Sequence, residues 1–209
     1  MSRLPILMYH NVSERKEDSK GLTISTEKLE EQFQYLKSKG YTSFHLSELE
    51  NLKKIPAKSI VLTFDDVTEN QFINALPLLK KYNLKAVFYI PFFYIGKTDL
   101  WNNGTEKIMT LDQIKSTDLE LVEFGFHSFK HRDYNSLSND EIKADFDACK
   151  QIISENNLKV YPSVAYPYGS YPRKGVDNAN FKLQLEKNEI KFGLRIGNRL
   201  NSFPFKKNH

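Results

Sequence analysis

The feature that most constrains this chain is a repeated order, in which strand-length apolar runs are each followed by helix-patterned sequence. The runs cover residues 4–9, 59–64, 86–90, 121–126 and 163–166 and are rich in β-branched and aromatic residues, the signature of strands. Between the first two, Leu29, Phe33 and Leu36 share one face of a helix predicted over 26–39 and stopped by Gly40. A second helical pattern covers 69–82. Thr110 with Gln113 and Ser138 with Glu141 both have capping-box spacing, the second pair ahead of a long helix over 142–153. Alternation of this kind argues for a parallel sheet with crossover helices, and the number of units predicts an α/β chain closed into a barrel rather than stacked in two layers. Residues 91–108 follow neither period, and they read as a long loop over one end of the sheet, where substrate contacts tend to lie.

A length of 209 residues suits one domain, taken here as 1–209, and 40% hydrophobic with 13% aromatic content is enough for a packed core. The net charge of +4 comes from lysines scattered among acidic residues. Scattering marks solvated faces, so no nucleic-acid partner is expected. With one cysteine, Cys149, no intrachain disulfide can form, and its spacing from Ile142, Phe146 and Ile153 puts it on the apolar stripe of a helix. Residues 1–14 lack a leader pattern and no apolar stretch is long enough to span a bilayer, so the chain as given reads as soluble and cytoplasmic, with no transmembrane segment. Composition says nothing of the oligomeric state.

Three strand ends carry the chemistry. In the first, Ile60-Val61-Leu62-Thr63-Phe64 runs straight into Asp65 and Asp66. Carboxylates beside an apolar strand need a cation or a hydrogen-bond network, although the pair could also cap the helix that follows. In the second, Val122-Glu123-Phe124-Gly125-Phe126 leads to His127 and His131. Imidazoles at that spacing can converge on one metal ion if the chain turns helically, whereas a lone histidine there would more often be structural. A parallel barrel gathers the carboxyl ends of its strands on one face, so Asp65, Asp66, His127 and His131 are expected to meet. Two histidines and a carboxylate leave coordination positions open for water and substrate. The third strand end, Ala165-Tyr166-Pro167-Tyr168-Gly169, offers either a sugar-stacking surface or a turn packed for stability.

Taken together, Thr63-Phe64-Asp65-Asp66, His127-Ser128-Phe129-Lys130-His131 and Tyr166-Pro167-Tyr168-Gly169, after an opening Leu7-Met8-Tyr9-His10, resemble the polysaccharide deacetylase family, also called the NodB-homology or carbohydrate esterase 4 family. The resemblance implies a distorted (β/α)7 barrel in which Asp66, His127 and His131 hold one divalent ion, zinc or else cobalt, nickel or manganese. It implies Asp65 as general base, Pro167 and Tyr168 at the substrate, and the backbone N–H of Tyr168 on the oxyanion. The reaction implied is hydrolysis of an acetamido group on an N-acetylated glycan, releasing acetate.

The chain departs from the family pattern in three places. Val67 stands where a glycine is usual, Val164 where many members have an arginine that orients the base, and no Leu-x-His occurs near the C-terminus. The last departure leaves the general acid unassigned. His10 follows the first strand and so shares a face with the other groups, and histidine chemistry suits proton donation near neutrality. A hydrogen bond to a neighbouring loop is the plainer account of it. Two further readings stay open: a weak or inactive glycan-binding relative, and a metal-assisted phosphoryl hydrolase, which the lack of a phosphate-cradling motif disfavours.

Overall fold

Seven short strands form one sheet: β1 (Ile6–Tyr9), β2 (Thr42–Ser43), β3 (Ser59–Asp65), β4 (Ala86–Ile90), β5 (Val122–Phe126), β6 (Ser163–Ala165) and β7 (Phe192–Leu194). The structure, a computed structural model, describes residues 2–205; Met1 and the tail Lys206–His209, the end of the segment without a Leu-x-His, lie outside them. Strand order is β7-β6-β5-β4-β3-β1, with β2 also paired to β3, and every ladder in this sheet is parallel.

Strand side chains alternate between faces, and here the two faces have different jobs. Ile60, Leu62 and Phe64 of β3, Ala86, Phe88 and Ile90 of β4, and Val122, Phe124 and Phe126 of β5 belong to the main core. Six helices pack on the sheet: α1 (Thr26–Ser38), α2 (Leu46–Leu49), α3 (Leu76–Tyr82), α4 (Leu111–Ser116), α5 (Asn139–Asn156) and α6 (Gly175–Lys187). Of these, α1, α3, α5 and α6 each send buried apolar residues into that core, Leu29 and Phe33, Leu78 and Leu79, Phe146 and Cys149, Phe181 and Leu185.

The opposite face collects Val61, Val87, Tyr89 and Ala165 with Leu46 and Leu49 of α2 into a second, smaller cluster. A sheet whose inner residues gather in this way is curled into a distorted barrel. It is open between its edge strands β1 and β7. A short antiparallel ribbon, Ser2–Leu4 against Asn201–Phe203, joins the segment before β1 to the segment after β7, and its Leu4 and Phe203 fill the inner cluster. Gly125 is required inside this curl, because a Cβ there would come within 2.6 Å of the Tyr89 ring.

Both predicted capping boxes are present, at Thr110 and Ser138, and Cys149 is buried in α5. The helix expected over 69–82 is present and carries a π-helical stretch, Gln71–Ala75, directly before α3. Among the labelled elements, β2, α2, β7 and α6 escaped the sequence reading, α2 being only four residues long. β2 has two residues, β7 carries Gly193 at its centre, and α6 buries only Phe181, Gln184 and Leu185, too sparse a signal to stand out against charged neighbours. No helix among the described residues is long and apolar enough to cross a membrane.

Candidate metal centre and active site

The period-two alternation that points Val61 and Thr63 inward also points Asp65 inward at the end of β3. The same period along β5 sends Glu123, Gly125 and then His127 to that face. Two turns finish the site. After β3 the backbone enters the left-handed region at Asp66 (φ 76°) and Val67 (φ 43°), and after His127 it does so at Ser128 (φ 60°) and His131 (φ 51°). Left-handed φ at a β-branched residue is strained. Val67 occupies the place where the resemblance leads one to expect glycine; its side chain is fully buried in the main core, which offsets the backbone cost.

Asp66, His127 and His131, all buried, each bring one donor atom within 4.8 Å of the others. Oδ1 of Asp66 lies 3.4 Å from Nε2 of His127 and 3.3 Å from Nε2 of His131. A tetrahedral ion with bonds of about 2.1 Å holds neighbouring donors about 3.4 Å apart, so the spacing fits a divalent ion of the zinc type. Oδ1 of Asp66 and Oδ1 of Asp65 are buried without a hydrogen-bond partner among the described residues, a costly state that a cation relieves. Nδ1 of His127 lies 2.8 Å from the Ala165 carbonyl oxygen. That bond fixes the proton on Nδ1 and leaves Nε2 free to ligate. Among the described residues, His131 has no such bond on Nδ1. Rings hold it instead: Trp101 stacks on it at 4.4 Å and 15°, and Tyr168 meets it edge-on at 4.9 Å.

The electrostatics divide the four groups. Burial acts to raise Asp66, but His127 and His131 outweigh it and bring the carboxyl far below the usual range. For His127 burial acts downward, and Asp66 and Asp65 reverse it, lifting the imidazole to about 8. His131 is lowered, first by burial and then by the neighbouring His127 charge. One imidazole of the pair thus holds the proton that one carboxylate supports. Asp65 stands apart from the ligand group, and burial raises its carboxyl against the pull of His127 and His10. The place of the arginine that the resemblance would set beside it is taken by Val164, an apolar core residue.

Among the other residues singled out in the sequence, His10 brings Nε2 to 3.8 Å from Oδ2 of Asp65, close enough for an ion pair but too long for a hydrogen bond. Gln71 ties the two strand ends together, donating to the carbonyls of His10 and Asp65. Pro167 is buried and Tyr168 is exposed, in a left-handed turn (φ 59°) that carries its ring over His131. The loop over 91–108 does lie at the site, through Trp101. Sequence reasoning missed Trp101, Gln71 and Asp145. Only Asp145 left a signal, a charge on the apolar stripe of α5 beside Ile142, Phe146 and Cys149.

Known proteins resemble the chain along most of its length. A deacetylase from Streptococcus pyogenes, PplD, solved in complex with acetate, superposes with a TM-score of 0.77 at 25% identity over 96% of this chain and 87% of that one. A de-N-acetylase from Aggregatibacter actinomycetemcomitans shares the fold at a TM-score of 0.78 and 21% identity, over 97% of this chain and 92% of that one. In sequence, the poly-β-1,6-N-acetyl-D-glucosamine N-deacetylase of Staphylococcus epidermidis is 25% identical over 186 residues, 85% of this chain and 62% of that protein. The enzyme of the same name from Staphylococcus aureus is 28% identical over 159 residues, 72% of this chain and 55% of that protein. The chain therefore spans only 55–62% of the length of these curated relatives. The family profile described as polysaccharide deacetylase matches residues 53–184, which contain both aspartates, both histidines and the Pro167–Gly169 turn, and the chain accordingly belongs to the polysaccharide deacetylase family.

Proposed function

We propose that this chain is a metal-dependent hydrolase that removes N-acetyl groups from an N-acetylhexosamine-containing polysaccharide or oligosaccharide. The observation that carries the reading is the convergence of Asp66, His127 and His131 at ligand spacing, with Asp65 beside them and outside the group. The relatives named above, two of them N-deacetylases of poly-β-1,6-N-acetyl-D-glucosamine, support that class of substrate.

In this reading Asp66, His127 and His131 hold one divalent ion, zinc being the best match to two imidazoles and a carboxylate. When bound, the ion supplies Lewis-acid polarisation of the acetamide carbonyl and of water. Asp65 accepts the proton of the attacking water; its burial keeps it a stronger base than an exposed carboxylate. Breaking the amide also requires a proton on the departing nitrogen. His10, on the other side of Asp65 at 3.8 Å, is the donor in this scheme. The backbone N–H of Tyr168 is assigned to the oxyanion, and the exposed Tyr168 ring borders the sugar, with the buried Pro167 fixing the turn that carries it.

Acetate release from N-acetylated chito-oligosaccharides and from poly-β-1,6-N-acetylglucosamine, with zinc or cobalt supplied, tests the reading. Asp65→Asn is expected to reduce release by at least about a hundredfold with metal content unchanged, whereas His127→Ala loses the metal as well. Metal bound by the wild type without acetate release from any N-acetylated glycan would support a glycan-binding protein instead.

A further inference from the structure

The turn that carries both histidines is clamped at its midpoint. Phe129 lies two residues from His127 and two from His131, so its backbone sets where each imidazole starts. Its carbonyl accepts from Phe93 N–H at 2.8 Å. Its own N–H points the other way, into α5, and both carboxylate oxygens of Asp145 lie 3.0 Å from it. Oδ2 of Asp145 also accepts from the Tyr134 hydroxyl at 3.0 Å, and Tyr134 is itself fully buried.

A carboxylate in this position is costly. Asp145 is 8% exposed on the otherwise apolar stripe of α5, and its hydrogen-bond donors are backbone amides and a phenol, while Arg132 acts on it through charge alone. Burial pushes its pKa up to about 6, with the Phe129 N–H and Tyr134 acting against that rise, so it remains charged at neutral pH. A leucine would fill the same place with no desolvation cost. What leucine cannot do is accept from Phe129. The turn needs that acceptor, because left-handed Ser128 is followed by two successive N–H groups, those of Phe129 and Lys130, that both act on the carboxylate, and successive N–H groups of this kind form an anion-binding concavity.

We propose that Asp145 is a positioning residue for the metal centre, a buried carboxylate that fills this concavity and through Phe129 fixes the separation and aim of His127 and His131. It touches neither the ion nor the substrate. The inference rests on the reading that Asp66, His127 and His131 bind an ion, and it goes beyond that reading by assigning the force that holds the ligand turn to a helix far along the chain.

The test uses the full chain, stripped of metal and titrated with Co²⁺, whose visible absorption reports ligand geometry, and with Zn²⁺ against a chromophoric chelator. Asp145→Asn keeps the shape and one acceptor. It is expected to bind Zn²⁺ about 10- to 100-fold more weakly, as loss of a supporting partner typically does, and to shift the Co²⁺ band. Phe146→Leu, next to it on α5, should lower the melting temperature and leave both readouts alone. Unchanged Zn²⁺ affinity and Co²⁺ spectrum in Asp145→Asn would overturn the inference while leaving the metal site standing, as would equal changes in Phe146→Leu, which would mark the effect as general loosening. If Asp145→Asn does not fold, Asp145→Glu decides: it keeps the charge but moves the acceptors by one methylene, so a wild-type Co²⁺ spectrum would overturn the inference and a shifted one would support it. A wild type that takes up neither ion overturns the metal reading and this inference with it.

Discussion

At the scale of single residues, the site is a competition between burial and charge. His127 is buried and would be neutral on that ground, yet Asp66 and Asp65 lift it to about 8. In the metal-free chain it therefore keeps a proton at neutral pH, and an incoming ion has to displace it. Metal binding should therefore be independent of this group above about pH 8 and weaken about tenfold per pH unit below it. Chelator competition at a series of pH values from mildly acidic to mildly alkaline checks this; a flat profile across neutrality would mean that His127 is already unprotonated. His10 makes a different prediction. It lies 3.8 Å from Asp65 and outside the ligand group, so His10→Gln should lower kcat by roughly 10²–10⁴, the range for a lost general acid, with metal content unchanged and the alkaline limb of the pH–rate profile altered. Full activity with the wild-type profile would remove His10 from the mechanism.

Among the elements, the parallel strands bring the chemistry to one end and the loops decide how it is enclosed. The loop after β4 turns back through backbone bonds such as Asp99 N–H to the Glu106 carbonyl, and the buried Asp99 carboxylate accepts from the Glu106 N–H at 2.8 Å. That tie holds Trp101 over His131. Ring contacts of this kind contribute about 0.5–1.5 kcal/mol, enough to orient an imidazole that lacks a hydrogen bond on Nδ1. Trp101 is the only tryptophan in the chain, so its emission reports on this corner of the site, where the ring packs on His131 and Tyr94. Binding of Ni²⁺ or Co²⁺ should quench it strongly, and the quenching should vanish in His131→Ala. Emission unmoved by a stoichiometrically bound ion would show that the loop does not cover His131 in solution.

For the whole molecule, closure depends on the ribbon between the two ends of the chain. Phe203 is 2% exposed and packs with Leu4, Val61, Val87 and Tyr89 inside the curl. Phe203→Ala should cost about 3–5 kcal/mol, the usual range for a large buried aromatic, read as a lower urea midpoint; a loss below 1 kcal/mol would mean that the ribbon is not part of the folding unit. The strand runs, the capping boxes and the two strand-end motifs were legible from sequence because each depends on residues a few positions apart. Period two along 61–65 and 123–127 already sends Asp65 and His127 to a common face. Other features depended on contacts that no local pattern encodes. His10 meets Asp65 because β1 pairs in parallel with β3. Asp145 reaches Phe129 from sixteen residues away, Trp101 covers His131 through a loop without a period, and Leu4 pairs with Asn201 across nearly the full length of the chain. Local periodicity is written in neighbouring residues and survives in any fold that keeps the elements. The approach of distant side chains exists only once the sheet has curled and the helices have docked on it.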